Sequence, residues 1–454
     1  MRHNRRYYHN NHNSGNRASL AAKRRRALAE AIAEGKKRKG ELELIIKAVE
    51  PKREEVAQQL QRIGTVRHFY NHIPYLSLVC DADYADILRK ASSGSVSDSV
   101  FEESFRSIIS AITTIDLSNN FTIPKLSTSA AVISKPKTRA GLWNLEAIGA
   151  YKAQQYGSGE GVNVAVIDTG IDYNHCQLQR RFEGKKGYDF VRNNEEPMDG
   201  NGHGTHVAGI IAAADYGIAT SCRLYAVRVL DENGSGTEAD AIAGIEWCIK
   251  NNVDAANMSF GGPVASQALE EVCRYAWQHG TLLVAAAGNN GYGPNYPAAF
   301  GEPVIAVAAV DESLGHPEFS SIWKTNDISA PGVNIVSTYP GESYARMSGT
   351  SMSAPHVTSS LAIAASIAAA DDLERIMKET ADNDDYNEPE VFGAGLIRVD
   401  NMARYLAGTT NVGRARQTQL LPILKDYFEL EKAADLAVSK FAKEAVAEVR
   451  RLLS

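Results

Sequence analysis

The chain has little of what would staple or anchor it. Its five cysteines, Cys80, Cys176, Cys222, Cys248 and Cys273, are odd in number and share no metal-ligand spacing. That argues against a disulfide framework and for reduced thiols. No apolar run is long enough to cross a bilayer, and the first arginines lead into the polar Tyr7-Tyr-His-Asn-Asn11 instead of the hydrophobic segment of a secretion signal. These absences point to a cytoplasmic protein without a transmembrane segment, although non-classical export would leave the same sequence. Formal net charge is only -6, so overall charge selects no partner. With 454 residues and 44% hydrophobic content, the chain can bury a large core and holds more than one domain.

The chemistry-bearing residues fall in three stretches. Val162-Asn-Val-Ala-Val-Ile-Asp-Thr-Gly-Ile-Asp172 reads as an apolar strand ending in a carboxylate and a glycine turn. Asp168 then sits at the carboxyl end of a buried parallel strand, where open α/β sheets place their ligands. Asn201-Gly-His-Gly-Thr-His-Val-Ala-Gly209 is glycine-rich, carries His203 and runs into a helix. Arg346-Met-Ser-Gly-Thr-Ser-Met-Ser-Ala-Pro-His356 leads into a run of small residues, with Pro355 just inside the helical pattern. Ser351 is thereby delivered to the first turn of a buried helix, where free N–H groups would stabilise an oxyanion. Alone, Ser351 would read as a helix cap. With the other two it makes chemical sense: a serine hydroxyl needs a base of pKa near neutrality, and that histidine needs a carboxylate to fix its tautomer.

Rival readings of these residues are weaker. His203 and His206 could be a metal pair, but the glutamate of a zinc-protease helix is missing and no third ligand is evident, so no metal ligand is assigned. Gly157-Ser-Gly-Glu-Gly161 precedes its strand instead of following it, so the dinucleotide fingerprint fails.

The motifs DTGID from Asp168, GHGTHVAG from Gly202, AAAGNNG from Ala285 and GTSMSAPH from Gly349 stand in this order. Together they resemble the subtilisin family of serine endopeptidases over about Gly141 to Ala407. The resemblance implies an α/β fold with a doubly wound, mainly parallel sheet, in keeping with the alternation of apolar strands and helices there. It also implies hydrolysis of peptide bonds through an acyl-enzyme, with Ser351 as nucleophile, His203 as base then acid, Asp168 orienting the imidazole, and Asn289 as oxyanion amide. Gly234, Ser235 and Gly236, with Ser259, Phe260 and Gly261, match the family's edges that pair with an extended substrate. Asn295 matches the floor of the main specificity pocket and Asn290 its rim, so uncharged, medium to large side chains are expected before the scissile bond. Glu238 matches a more distant subsite, where a preference for a basic residue is expected. No cofactor is required for this chemistry. Between Gly209 and Leu224 the chain is shorter than in many secreted relatives that bind tight calcium there, and the expected Gln or Asn ligands are not recognisable, so any structural calcium is a weak one. Met352 resembles the family's oxidation-prone methionine.

The remaining sequence divides around this region. Residues 1–40 form a basic arm, disordered apart from a helix at Ala18 to Lys37, suited to nucleic acid or an acidic surface. Residues 41–107 read as βαββαβ, a small ferredoxin-like domain, with strands at Glu41 to Val49, Thr65 to Ile73, Tyr75 to Cys80 and Val96 to Phe105. It resembles the propeptide that templates and inhibits many family members, and is thus a partner of the enzyme besides its protein or peptide substrates. Residues 108–140 read as a linker with self-cleavage between Ser127 and Ala140, making the chain a zymogen. The catalytic domain is 141–408, and 409–454 a helical extension. The principal alternative is a catalytically silent binding module with the propeptide region docked, against which the intact Asp168, His203, Ser351 and Asn289 speak.

Overall fold

The computed structural model describes residues 41–92, 111–123, 130–135, 142–368 and 372–408. The basic arm, the strand expected at Val96 to Phe105 and the 409–454 extension lie outside the described residues.

The small N-terminal sheet starts with β1 (Glu41–Ala48), whose side chains alternate between two covered faces. Leu44 and Ile46 point to helices α1 (Arg53–Leu60) and, beyond β2 (Gly64–Phe69) and β3 (Tyr75–Asp81), α2 (Ala82–Ser92), forming a core with Leu60, Leu76 and Leu88. Ile45 points the other way, into the core of the main body, as do Tyr70, Ile73 and Tyr75. The fourth strand is β4 (Ile112–Leu117), and the order β2-β3-β1-β4 with antiparallel pairing is the ferredoxin-like arrangement. β4 lies beyond the expected boundary at 107, as do the short strands β5 (Asn120–Thr122) and β6 (Ala131–Ile133), so the stretch expected as linker is partly built into sheets.

The main body is a seven-stranded sheet in the order β14-β13-β12-β11-β7-β9-β8. Its strands are β7 (Asn163–Asp168), β8 (Gly187–Asp189), β9 (Arg223–Arg228), β11 (Ala255–Met258), β12 (Leu282–Ala286), β13 (Ile305–Val310) and β14 (Asn326–Pro331), all pairing in parallel. Runs such as Ile305-Ala-Val-Ala-Ala-Val310 are buried at every position, as strands covered on both faces must be. The covering helices are α3 (His203–Ala212), α4 (Glu238–Lys250), α5 (Gln267–Gln278) and α6 (Thr350–Ile367). A strand β10 (Ser235–Thr237) precedes α4, and a hairpin of β15 (Ile335–Tyr339) and β16 (Ser343–Met347) precedes α6. β6 adds to the free edge of β16.

β7 lies between β9 and β11, so the winding reverses there and a crevice opens at its carboxyl end. Asp168 is the last residue of β7, His203 the first of α3 and Ser351 the second of α6. Among the described residues no helix is long and apolar enough to cross a membrane. Residues 404–454 form a unit of their own, of which 404–408 are described, as helix.

Candidate active site

Asp168 and His203 are fully buried and paired: the imidazole Nδ1–H reaches the carboxylate at 2.8 Å to Oδ1 and 3.0 Å to Oδ2. A carboxylate only accepts, so the hydrogen is on Nδ1 and Nε2 is left as the basic nitrogen. Nε2 is buried, with no hydrogen-bond partner among the described residues. The Thr169 N–H also donates to Asp168 Oδ1, at 2.7 Å.

A second carboxylate holds this pair in place. Asp199 Oδ1 accepts from Thr169 Oγ1 at 2.9 Å, Asn201 N at 2.9 Å and Gly202 N at 2.8 Å, while Oδ2 accepts from Thr205 N at 2.9 Å and Thr205 Oγ1 at 2.6 Å. Thr169 Oγ1 in turn accepts from Gly204 N at 3.0 Å. Asp199 therefore ties the turn after Asp168 to the first turn of α3, satisfying N–H groups that a helix start leaves open. Burial pushes its carboxyl up, against hydrogen bonds from Thr205, Gly202 and Asn201 that hold it down. Sequence reasoning missed Asp199; its signal was an acidic residue just ahead of a helix start, in Met198-Asp-Gly-Asn201.

His206, one turn further along α3, is structural. Its Nε2 donates to the carbonyls of Ile335 and Ala345, both at 3.1 Å, and burial together with nearby His203 pushes it down to about 3.

Ser351 is shaped by Pro355. A proline four residues on has no N–H for the Ser351 carbonyl. That carbonyl accepts instead from Ser259 Oγ at 2.8 Å. The Ser351 hydroxyl donates to the Ser259 carbonyl at 3.0 Å, so it is turned to Ser259 and not to His203 Nε2. Asn289 faces the same helix start, its Oδ1 accepting from Thr350 N at 2.9 Å and Thr350 Oγ1 at 2.8 Å. This fixes which end of the carboxamide is the oxygen and presents Nδ2 as its donor end.

The expected substrate edges flank a strand of the same chain. β5 pairs antiparallel with β10, Ser235 opposite Thr122, Gly236 opposite Phe121 and Thr237 opposite Asn120. On the same side Ile123 N donates to Gly234 O at 3.0 Å, and on the other side Thr122 and Gly261 exchange hydrogen bonds of 3.2 and 3.0 Å. Phe121 is fully buried, its ring 5.9 Å from Phe260. A Cβ at Gly261 would stand 2.4–2.6 Å from the Asn295 carboxamide, so any larger residue there has to displace that buried side chain. Asn295 is buried, its Nδ2 donating to the Ala286 carbonyl at 2.8 Å. Asn290, expected at the pocket rim, donates its main-chain N–H to Ser321 Oγ at 3.2 Å.

Glu238 is covered by the segment that leads into β5. It is fully buried, and its carboxylate accepts from Asn119 N at 3.2 Å, Asn119 Nδ2 at 2.7 Å and Ser266 N at 2.5 Å. Burial raises its pKa, against the hydrogen bonds from Ser266 and Asn119 that hold it down. In the loop between α3 and β9, Asp215 Oδ2 accepts from Lys135 Nζ at 2.9 Å and Gln177 Nε2 at 2.8 Å.

The family model of the subtilase family matches residues 159–395. Subtilisin DY of Bacillus licheniformis is 40% identical over 276 residues, covering 58% of this chain and 98% of that protein. Subtilisin Savinase of Lederbergia lenta is 43% identical over 228 residues, 49% of this chain and 82% of that protein. Thermitase of Thermoactinomyces vulgaris is 40% identical over 243 residues, 52% of this chain and 86% of that protein. The chain is a member of the subtilase family and a subtilisin-like serine endopeptidase.

Proposed function

We propose that this endopeptidase works through Asp168, His203 and Ser351, with Asn289 in the oxyanion hole, and that it is made as a self-processed zymogen. The observation that carries the catalytic reading is the buried Asp168–His203 pair, which leaves Nε2 as an accepting nitrogen. Once the Ser351 hydroxyl turns from Ser259, its proton passes to His203 Nε2 as Oγ attacks the substrate carbonyl carbon. The oxyanion meets Asn289 Nδ2 and the N–H groups at the start of α6. His203 then gives its proton to the leaving amine, and water repeats the sequence to release the acid. Side chains and water suffice; subtilases need no cofactor for this step.

The zymogen reading rests on β5. This strand adds to β10 on one side and bridges to Gly261 on the other, in the place where an extended substrate would pair. The small sheet continuous with it packs Ile45, Tyr70 and Tyr75 into the body core. Residues 41–123 thus act as a built-in inhibitor, removed by cleavage between Ser127 and Ala140. All five cysteines are free thiols, four of them buried, which supports a reducing, cytoplasmic setting. The basic arm, as a contact for nucleic acid or an acidic surface, is the reading of its composition alone.

One observation favours the silent-module alternative: the Ser351 hydroxyl is held by Ser259 and not by His203. A single experiment separates the two. Wild type and Ser351→Ala are expressed and run on a denaturing gel, and a fluorophosphonate probe is added to each. A zymogen gives a shortened, labelled wild type beginning between residues 127 and 140, and an unlabelled, full-length Ser351→Ala. Equal full-length, unlabelled bands support the silent module.

A further inference from the structure

Away from the cleft, the loop after Asp168 meets the tip of the β15–β16 hairpin, and three donors of different chemistry converge. A ring nitrogen of His175, the Cys176 sulfur and a Glu342 carboxylate oxygen all lie within 4.8 Å of one another. His175 is buried, whereas Cys176 and Glu342 are exposed, so one donor is fixed from inside and two are open to solvent. Sequence spacing could not join them, because Glu342 is 166 residues from Cys176.

The imidazole is already oriented. Its Nε2 lies 3.2 Å from the Ser343 carbonyl, which can only accept, so Nε2 carries the hydrogen. Nδ1 is the lone-pair nitrogen and accepts the Gln177 N–H at 3.2 Å, a bond that a metal at Nδ1 displaces. A far N–H anchored on a backbone carbonyl is the support that metal-ligating histidines have.

The carboxylate is oriented too. Glu342 Oε1 accepts the Cys176 main-chain N–H at 2.7 Å. Glu342 also adopts φ +60°, a left-handed backbone that glycine would take without cost. The turn accepts strain at the residue that faces Cys176.

We propose that His175 Nδ1, the Cys176 thiolate and the Glu342 carboxylate bind one divalent cation of the zinc class, with water as fourth ligand. On binding, the thiol S–H bond breaks, a metal–sulfur bond forms and the proton leaves to solvent, while Nδ1 gives up the Gln177 N–H for the metal; no oxidant or reductant is involved. Bonds of about 2.0–2.3 Å require the donors to draw closer than they stand, which the two exposed side chains can do. Calcium and magnesium prefer oxygen donors and would not compete. The bound ion would fasten the loop after β7 to the hairpin whose second strand leads to Ser351.

The test uses full-length Ser351→Ala, which stays intact, stripped with a chelator and titrated with Co²⁺. The expected result is a thiolate-to-cobalt charge-transfer absorption saturating at one ion per chain, displaced by Zn²⁺ with a dissociation constant below about 1 µM and untouched by Ca²⁺. Cys176→Ser should abolish the band, and Glu342→Gln should weaken binding at least about tenfold. His3, His9 and His12 could also hold cobalt but give no thiolate band, so they do not confuse the readout. Absence of the band, its persistence in Cys176→Ser, or affinity unchanged in Glu342→Gln overturns the proposal.

Discussion

The Ser351 hydroxyl donates to the Ser259 carbonyl at 3.0 Å while Ser259 Oγ donates to the Ser351 carbonyl at 2.8 Å, so the two serines are locked to each other. The second bond exists because Pro355 leaves the Ser351 carbonyl without its helical partner. Ser259→Ala should leave that buried carbonyl unsatisfied and cost about 1–3 kcal/mol of stability. Denaturant unfolding of Ser259→Ala against its parent, both in a Ser351-intact background kept inhibited, measures it; an unchanged midpoint would remove Ser259 as the carbonyl's essential partner.

The Asp168–His203 hydrogen bond carries the largest expected effect on rate. Asp168→Asn should lower kcat by about 10⁴-fold, since an amide donates to Nδ1 and imposes the wrong tautomer. Asn289→Ala should lower kcat by about 10²–10³-fold, the size known for this donor in a subtilisin itself, with KM little changed. Steady-state hydrolysis of a chromogenic peptide by processed enzyme distinguishes the two.

Asp199 positions His203 without touching substrate. Asp199→Asn cannot accept from all of Thr169, Asn201, Gly202 and Thr205, so the start of α3 should shift relative to Asp168. A displacement near 1 Å costs about 10²-fold, expected in kcat and not in KM. A drop confined to KM would contradict a positioning role.

Phe121 anchors the inhibitory strand. Its burial beside Phe260 is worth about 3–5 kcal/mol by comparison with other core Phe→Ala changes. In the full-length chain, Phe121→Ala should therefore speed both self-cleavage and fluorophosphonate labelling. Labelling no faster than in wild type would show that the strand does not control access to Ser351.

Two buried imidazoles set acid stability. Burial pushes His206 down to about 3 and His356 down to about 4, from ordinary values of 6.5. Both stay neutral in the fold, whereas the unfolded chain takes up protons below 6.5, so stability falls as pH drops through that window. At about pH 5 each imidazole opposes folding by about 2 kcal/mol, with little effect above about pH 7. Urea unfolding of Ser351→Ala at these two pH values measures the loss, and His356→Gln should remove its share.

The sequence made the central elements readable wherever burial is continuous. Asn163 to Asp168 and Ile305 to Val310 are apolar runs whose neighbours lie on parallel strands, and their pattern is strong on its own. β5 and β6 carry no such signal. Each has three residues, and its partners stand more than a hundred positions away: Asn120 opposite Thr237, Val132 opposite Ala345. Nothing local marks a strand whose only reason to be extended is a distant edge. Glu238 shows the same limit, since its charge is visible in the sequence but its burial under Asn119 is not. Asp199 went unread because a carboxylate ahead of a helix ordinarily only caps it, and here it also grips the turn beside Asp168.

β5 is held by β10 and Gly261, whereas β6 is held by β16. A cut in the chain between them separates two pieces that are each still fastened to the body. Scission alone would then release nothing, and activity should trail bond cleavage by however long the severed inhibitor takes to peel away.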